Sequence, residues 1–281
     1  MQVGTLDKAY RILDLYNESS ESFSFSEIVG FTGLEKSSVQ RLLSSLVQLG
    51  LMRKHERYKR YSLSPRFISF AVSFCLSDPL LHAAALHLEP LARQTTEAVS
   101  VGLMDGVHVF YVTRIVAGTH LPGALATRSF TILPVRQYAY CTAVGRAIMS
   151  RLPEVDIDRI LAASPRRKFT ELTIVEAAAI KRMLPEFRAT GLAWQDGEVL
   201  DDELGLAAPI LGDNDFPVGA VVMSIKKVNW DLESARKKFG SMIQLAARNM
   251  SSGSLAALRT HDGLTRPQPA KRAAAVREGG P

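Results

Sequence analysis

Between residues 35 and 63 the apolar residues change period once, and that change limits the chain's N-terminal part to very few folds. Over residues 35–48, Val39, Leu42, Leu43, Leu46 and Val47 recur at helical spacing, and Gly50 follows where a helix closes on a left-handed residue. After Gly50 the period becomes two: residues 51–54 and 61–63 alternate as paired strands around a charged tip at residues 55–59. Upstream, Thr5 can cap a helix carrying Leu6, Ala9, Tyr10, Ile12, Leu13 and Tyr16, and Ser24 or Ser26 can open a short second helix with Ile28 and Val29 that ends near Gly30 and Gly33. Two helices, a turn, a third helix and a hairpin make a winged helix-turn-helix over residues 1–64.

The polar side of the third helix shows what such a head could read. Lys36, Ser37, Ser38, Gln40, Arg41, Ser44 and Ser45 lie opposite its apolar stripe. Short hydroxyls allow close approach to a major groove, and Arg and Gln reach base edges with two hydrogen bonds. Residues 36–66 hold eight Lys/Arg against one acid, a balance of +7 in a chain whose total is +6. Residues 259–281 add +3, leaving −4 for the remainder. A basic patch on an otherwise acidic chain fits the neutralisation of DNA phosphates with release of their counterions. Lys36, Ser37, Ser38, Gln40 and Arg41 are therefore expected near bases or phosphates of double-stranded DNA. Arg53, Lys54, Arg57, Lys59 and Arg60 on the hairpin are expected as backbone anchors that position more than they select.

At 281 residues the chain has room for a second core. Residues 65–78 form an apolar linker helix with Phe67, Ile68, Phe70, Ala71, Val72, Phe74 and Leu76, too short for the roughly 20 residues a bilayer span needs. Residues 79–254 mix helical and strand signals. A helix over 79–98 is followed by strands on either side of Asp105 and Gly106, a dipeptide suited to a hairpin, and by a further strand at 125–132. Helices are expected from Thr142 to near Arg151 and at 156–163, 173–190 and 232–250, with strands at 192–198, 205–211 and 218–225. The fold class is thus two domains, a mainly α winged helix-turn-helix with a β wing and an α+β domain, joined by a linker helix. Residues 255–281, rich in Ala, Pro, Arg and Gly, have the composition of a disordered tail.

Catalytic chemistry finds little support. The sequence contains no phosphate-binding G-x-x-x-x-G-K, no G-x-G-x-x-G and no G-x-S-x-G. Cys141 precedes a helix, an arrangement that can activate a thiol, yet no His or Asp is marked as its partner, and packing accounts for Cys141 and Cys75 alike. Two cysteines with no leader segment suit a reduced cytoplasm. His82 and His87 stand about 140° apart around a helix, and His108 and His120 are isolated, so neither a metal nor another cofactor is expected.

Several stretches resemble IclR-type bacterial transcriptional regulators. They are TLDKAYRILDLY, SFSEIVGFTGLEKSSVQRLLSSLVQLGLM and YSLSPRFISFA, followed by YCTAVGRAIMS, GLAWQDGEV and LAAPILGDNDFPVGAVVMSI, which together span about residues 5–250. The resemblance implies a GAF-like effector domain, a homodimer or tetramer assembled through the linker helix, and a pseudo-palindromic operator. It also implies an effector pocket for small organic acids, carried over to Thr142, Ala143, Val144 and Gly145 at a helix start, with Gln195, Asp196 and Gly205 across the sheet. The same residues read equally as a plain helix cap and a packing glycine. Leu204 and Gly205 stand where many relatives carry an Arg and a small polar residue. YCTAVGR and HVFYVTR look closest to the protocatechuate- and hydroxybenzoate-responsive members, and Trp194, Met104 and Phe110 could wall an aromatic effector. A ligand-independent architectural DNA-binding protein, and an enzyme carrying a winged-helix contact module, are the alternatives.

Overall fold

The structure, a computed structural model, describes residues 4–17, 22–116, 136–212 and 215–251. The chain divides into two compact units, Met1–Ser77 and Asp78–Pro281. The strand expected at 125–132 and the tail at 255–281 lie outside the described residues.

In the first unit, α1 (Gly4–Asp14), α2 (Phe25–Thr32) and α3 (Lys36–Gln48) enclose a core that includes Ile12, Ile28, Val39, Leu43 and Met52. Helix α1 begins one residue before Thr5, which sits in its first turn instead of capping it. Ser24, not Ser26, caps α2 through a capping box: its hydroxyl accepts the Glu27 amide and the Glu27 carboxylate accepts the Ser24 amide at 2.7 Å. Ser24→Ala should destabilise this unit by about 1 kcal/mol, read as a lower urea midpoint in far-ultraviolet circular dichroism. Helix α2 closes on Gly33, whose φ of 65° is the left-handed conformation that the tight turn into α3 needs.

Strands β2 (Met52–His55) and β3 (Arg60–Leu63) pair in the expected hairpin, with Met52 opposite Leu63. A third strand, β1 (Phe23–Ser24), pairs along the other edge of β3. It is too short to show any alternation in the sequence. Helix α4 (Arg66–Ser77) follows and exposes Ile68 at 59% and Phe70 at 56%, with Val72, Phe74 and Leu76 also open.

The second unit opens with α5 (Pro79–Thr95). Its antiparallel sheet comprises β4 (Ala98–Asp105), β5 (His108–Tyr111), β6 (Arg136–Tyr138), β7 (Ala193–Asp196), β8 (Glu203–Leu211) and β9 (Pro217–Lys226), in the order β6-β5-β4-β9-β8-β7. Helices α6 (Ala143–Met149), α7 (Glu154–Ala163) and α8 (Ala177–Thr190) lie between β6 and β7 in the chain, and α9 (Leu232–Met250) ends the described part. Helices α5 and α9 pack together on one face of the sheet and α6 packs on the other, giving a three-layer α+β domain.

Two boundaries and one additional strand differ from the sequence expectation for identifiable reasons. Strand β5 ends at Tyr111 because the Thr113 hydroxyl, rather than a backbone group, accepts the Val101 amide at 2.8 Å. Helix α8 begins at Ala177 because Thr173 is spent on tertiary bonds, accepting the amides of Phe169 and Thr170 and donating to the Glu198 carbonyl. Strand β6 was not expected, being three residues long.

Candidate nucleic-acid interface and effector site

The two faces of α3 separate as an amphipathic helix requires. Val39, Leu42, Leu43 and Leu46 are buried, while Lys36, Ser37, Gln40, Arg41, Ser44 and Ser45 are exposed and Ser38 is half-buried. Small or polar side chains therefore line one open strip from the first turn onward.

On the hairpin, Arg53, Lys54, Arg57 and Lys59 are exposed. Lys54 is 2.9 Å from Glu56, whose hydrogen bond and charge raise its pKa, and the Arg57 guanidinium lies 5.4 Å above the Tyr58 ring. Arg60, expected among the anchors, is turned inward. Its Nε donates to the Ser22 carbonyl at 2.9 Å, and its guanidinium meets the Glu27 carboxylate at 3.0 Å. It fastens β3 to the start of α2, and its charge is matched within the head.

In the second unit, Thr142 to Gly145 form a buried, capped helix start. The Thr142 hydroxyl accepts the Gly145 amide and donates to the Tyr138 carbonyl, both at 3.1 Å. A β-carbon on Gly145 would lie 2.2 Å from the Ala139 carbonyl oxygen, and one on Gly102 of β4 would lie 2.6 Å from Val144. On Gly205 it would meet Gln195 at 3.1 Å and Ala143 at 3.3 Å. Thr142, Ala143, Val144, Gly145, Gln195 and Gly205 are thus brought together, with each glycine used for close approach.

Asp196 does not join them. Successive side chains of a strand point to opposite faces, and Asp196 pairs with Lys227 at 2.6 Å on the side away from Gln195. The same alternation divides the expected aromatic wall. Met104 is opposite Val109, which lies with Val144 on the α6 face, whereas Phe110 is opposite Leu103 on the other face. Trp194, adjacent to Gln195, meets Phe187 edge-on at 4.4 Å and lies under the Arg236 guanidinium at 3.7 Å.

Polar residues that the sequence did not single out do share the α6 face. Ser224 of β9 is directly opposite Gly205 of β8, Ser100 of β4 is opposite Val222, and Tyr111 is opposite Gly102. Burial drives the Tyr111 phenol pKa upward, so it stays a hydrogen-bond donor. The signal was present as Ser100 and Gly102 two apart within VSVGLM and as Ser224 within the otherwise apolar VVMSI.

Beneath this face lies a buried ion pair that spacing in the chain could not reveal. Arg146, fully buried, donates from Nε to the Tyr140 carbonyl at 3.0 Å, from Nη1 to the Trp194 carbonyl at 3.2 Å, and through both terminal nitrogens to Glu198, with Nη2 to Oε2 at 2.7 Å. Glu198 also accepts the Ile174 amide at 2.9 Å, and its own amide donates to Gln195 at 2.8 Å. The pair joins α6, the end of β7 and the loop before α8.

Cys141 is buried beside it, and burial pushes its thiol up to about 12. It is protonated at neutral pH and should resist iodoacetamide in the native protein at pH 8. Labelling at the rate of a free thiol, measured by mass spectrometry, would contradict this. A raised thiol pKa adds stability that is complete below the ordinary value of 9.0 and is lost as pH climbs toward 12. Among the described residues no three His, Cys, Asp or Glu side chains form a metal-binding group, and no helix is long and apolar enough to cross a membrane.

Comparison with known proteins places these features in context. The model for the IclR helix-turn-helix domain matches residues 5–56, and the model for the bacterial transcriptional regulator IclR C-terminal domain matches residues 74–252. The chain is 23% identical to the HTH-type transcriptional regulator XynR of Escherichia coli K12, over 79% of this chain and 86% of that one. It is 21% identical to the Pca regulon regulatory protein of Pseudomonas putida, over 88% and 82% respectively. An IclR homologue from Microbacterium hydrocarbonoxydans, solved with 4-hydroxybenzoate, superposes with a TM-score of 0.67 at 16% identity, covering 92% of this chain and 100% of that one.

Proposed function

Since the chain belongs to the IclR family of bacterial transcriptional regulators, with a DNA-binding head and an α+β C-terminal domain, we propose that it is an effector-controlled switch whose ligand is a small organic acid, with an aromatic acid favoured. The observation that carries the DNA-reading half is the open polar strip from Lys36 to Arg41 on a helix whose other face is buried in the head. Two copies of the chain pair through the exposed apolar side chains of α4, and their α3 helices enter successive major grooves of a pseudo-palindromic site. Arg41 and Gln40 contact base edges, Lys36, Ser37 and Ser38 contact bases or phosphates, and Arg53, Lys54, Arg57 and Lys59 hold the backbone.

The effector lies on the α6 face of the sheet, against Gly205, Gln195 and the Thr142–Gly145 helix start, within reach of the Tyr111 hydroxyl. An aromatic acid is supported by two relatives, one named for the Pca regulon and one solved with 4-hydroxybenzoate. The effector shifts DNA affinity only by the difference in its own affinity for the two arrangements of the paired heads. Calorimetric titration of the full chain with 4-hydroxybenzoate, protocatechuate, pyruvate and glyoxylate tests the class. Binding of the two aliphatic acids alone would reject the aromatic assignment. Footprinting upstream of the protein's own gene, with and without the bound acid, tests the switch, and a footprint unchanged by saturating acid would favour an architectural role.

A further inference from the structure

We propose that Ser64 and Arg66 are positioning residues that lock α4 to the end of the DNA-reading helix and so set the spacing between half-sites that the paired chains accept. The inference rests on the DNA-reading function proposed above. It starts from the way α3 ends. The Leu51 amide donates to the Leu46 carbonyl at 2.9 Å and the Gly50 amide to the Val47 carbonyl at 3.0 Å, the paired bonds of a Schellman motif with Gly50 at φ 71°. That motif turns the carbonyls of Leu49 and Gly50 outward at the negative end of the helix.

Both carbonyls are taken by the segment that begins α4. Arg66 Nη1 donates to the Leu49 carbonyl at 2.6 Å, and the Ser64 hydroxyl donates to the Gly50 carbonyl. The guanidinium passes so close that a β-carbon on Gly50 would be 3.2 Å from it. Ser64 uses all its polar groups at this junction. Its amide donates to the Leu51 carbonyl at 3.0 Å, its hydroxyl oxygen accepts the Arg66 amide at 3.2 Å, and its carbonyl accepts the Phe67 amide at 3.4 Å. The end of α3, the end of β3 and the start of α4 therefore meet at one buried serine, which is 9% exposed.

The geometric consequence is large. A 12-residue helix such as α4 is a lever of about 18 Å, so tilting it by roughly 10° at its base displaces its far end by about 3 Å. That is close to the roughly 3.4 Å rise of one base pair. With the latch closed, a pairing seam on α4 fixes the distance between two α3 helices. With it open, the seam can stay intact while each head swivels.

The test uses the full-length chain and duplexes enriched by the wild-type protein from a random library, then rebuilt with one base pair added to or removed from the spacer. The wild type should lose about 30-fold in affinity on either change, the scale of misplacing one base contact. Arg66→Ala and, separately, Ser64→Ala should reduce this penalty to within about threefold, whatever uniform change each makes to binding of an isolated half-site. The penalty is a ratio, so the uniform attraction lost with one charge cancels. Arg66→Lys, which can still donate to the Leu49 carbonyl, should restore part of the discrimination. A full wild-type penalty in both alanine variants overturns the latch. A wild-type chain that enriches no sequence overturns the DNA-reading function itself, and one that enriches only single half-sites overturns the pairing on which the latch acts, both distinguishable results.

Discussion

Arg146→Ala should destabilise the second unit by about 3–5 kcal/mol, the usual consequence of removing one partner of a buried ion pair. The substitution strips Glu198 of its bidentate partner while leaving the carboxylate enclosed, and frees the carbonyls of Tyr140 and Trp194. Glu198→Gln should be milder, because an amide can still accept one guanidinium bond. The double replacement Arg146→Met with Glu198→Leu should recover part of the loss, since two apolar side chains of similar volume leave no buried charge, while the Tyr140 and Trp194 carbonyls and the Ile174 amide stay unpaired. Both tryptophans, Trp194 and Trp230, lie in this unit, so fluorescence during urea unfolding reports it without interference from the head. A loss below about 1 kcal/mol in Arg146→Ala would show that the pair is not structural. The same variant should weaken effector binding, because Glu198 positions Gln195 through its amide.

The second large effect concerns DNA. Replacing Gln40 and Arg41 together with alanine should reduce affinity for a specific site by roughly 30-fold to 10⁴-fold, two base contacts at about 1–3 kcal/mol each. Both residues are exposed on α3 and alanine favours helix, so the head should keep its fold. Non-specific binding should fall only modestly, with the salt slope smaller by about one, as one charge is removed. Arg53→Ala should instead weaken all sequences alike. An equal loss by the double variant on specific and random duplexes, measured by fluorescence anisotropy, would refute base reading by this strip.

What could be read in the sequence was whatever depends on local period. The α3 stripe, the change to alternation after Gly50 and a serine cap on α2 are all set within a few residues, and each appears in the structure, which decides between Ser24 and Ser26 for the cap. The orientation of Asp196 was not legible in isolation, because the phase of β7 is fixed by pairing Gln195 with Gly205 of β8. That pairing puts Asp196 beside Lys227 and Trp194 beside Arg236. Arg60 lay within a basic run that gave no sign of its carboxylate partner, Glu27. The Arg146–Glu198 pair joins residues 52 apart, and its only trace is a lone charge inside the apolar run AVGRAIM.

The order of strands in the sheet also governs when the protein becomes complete during synthesis. Strand β4 borders β9, so the β4–β5–β6 half and the β7–β8 half of the sheet are joined only by a strand near the end of the described chain. The first unit ends at Ser77, whereas β9 is completed about 150 residues later. At roughly 5–20 residues per second this is an interval of about 7–30 s. During that interval a nascent chain has a finished head while β4 and β8 both lack their shared neighbour. A chain that stops before Pro217 stays in this condition, with the residues of the head complete and the sheet of the second unit still in two pieces.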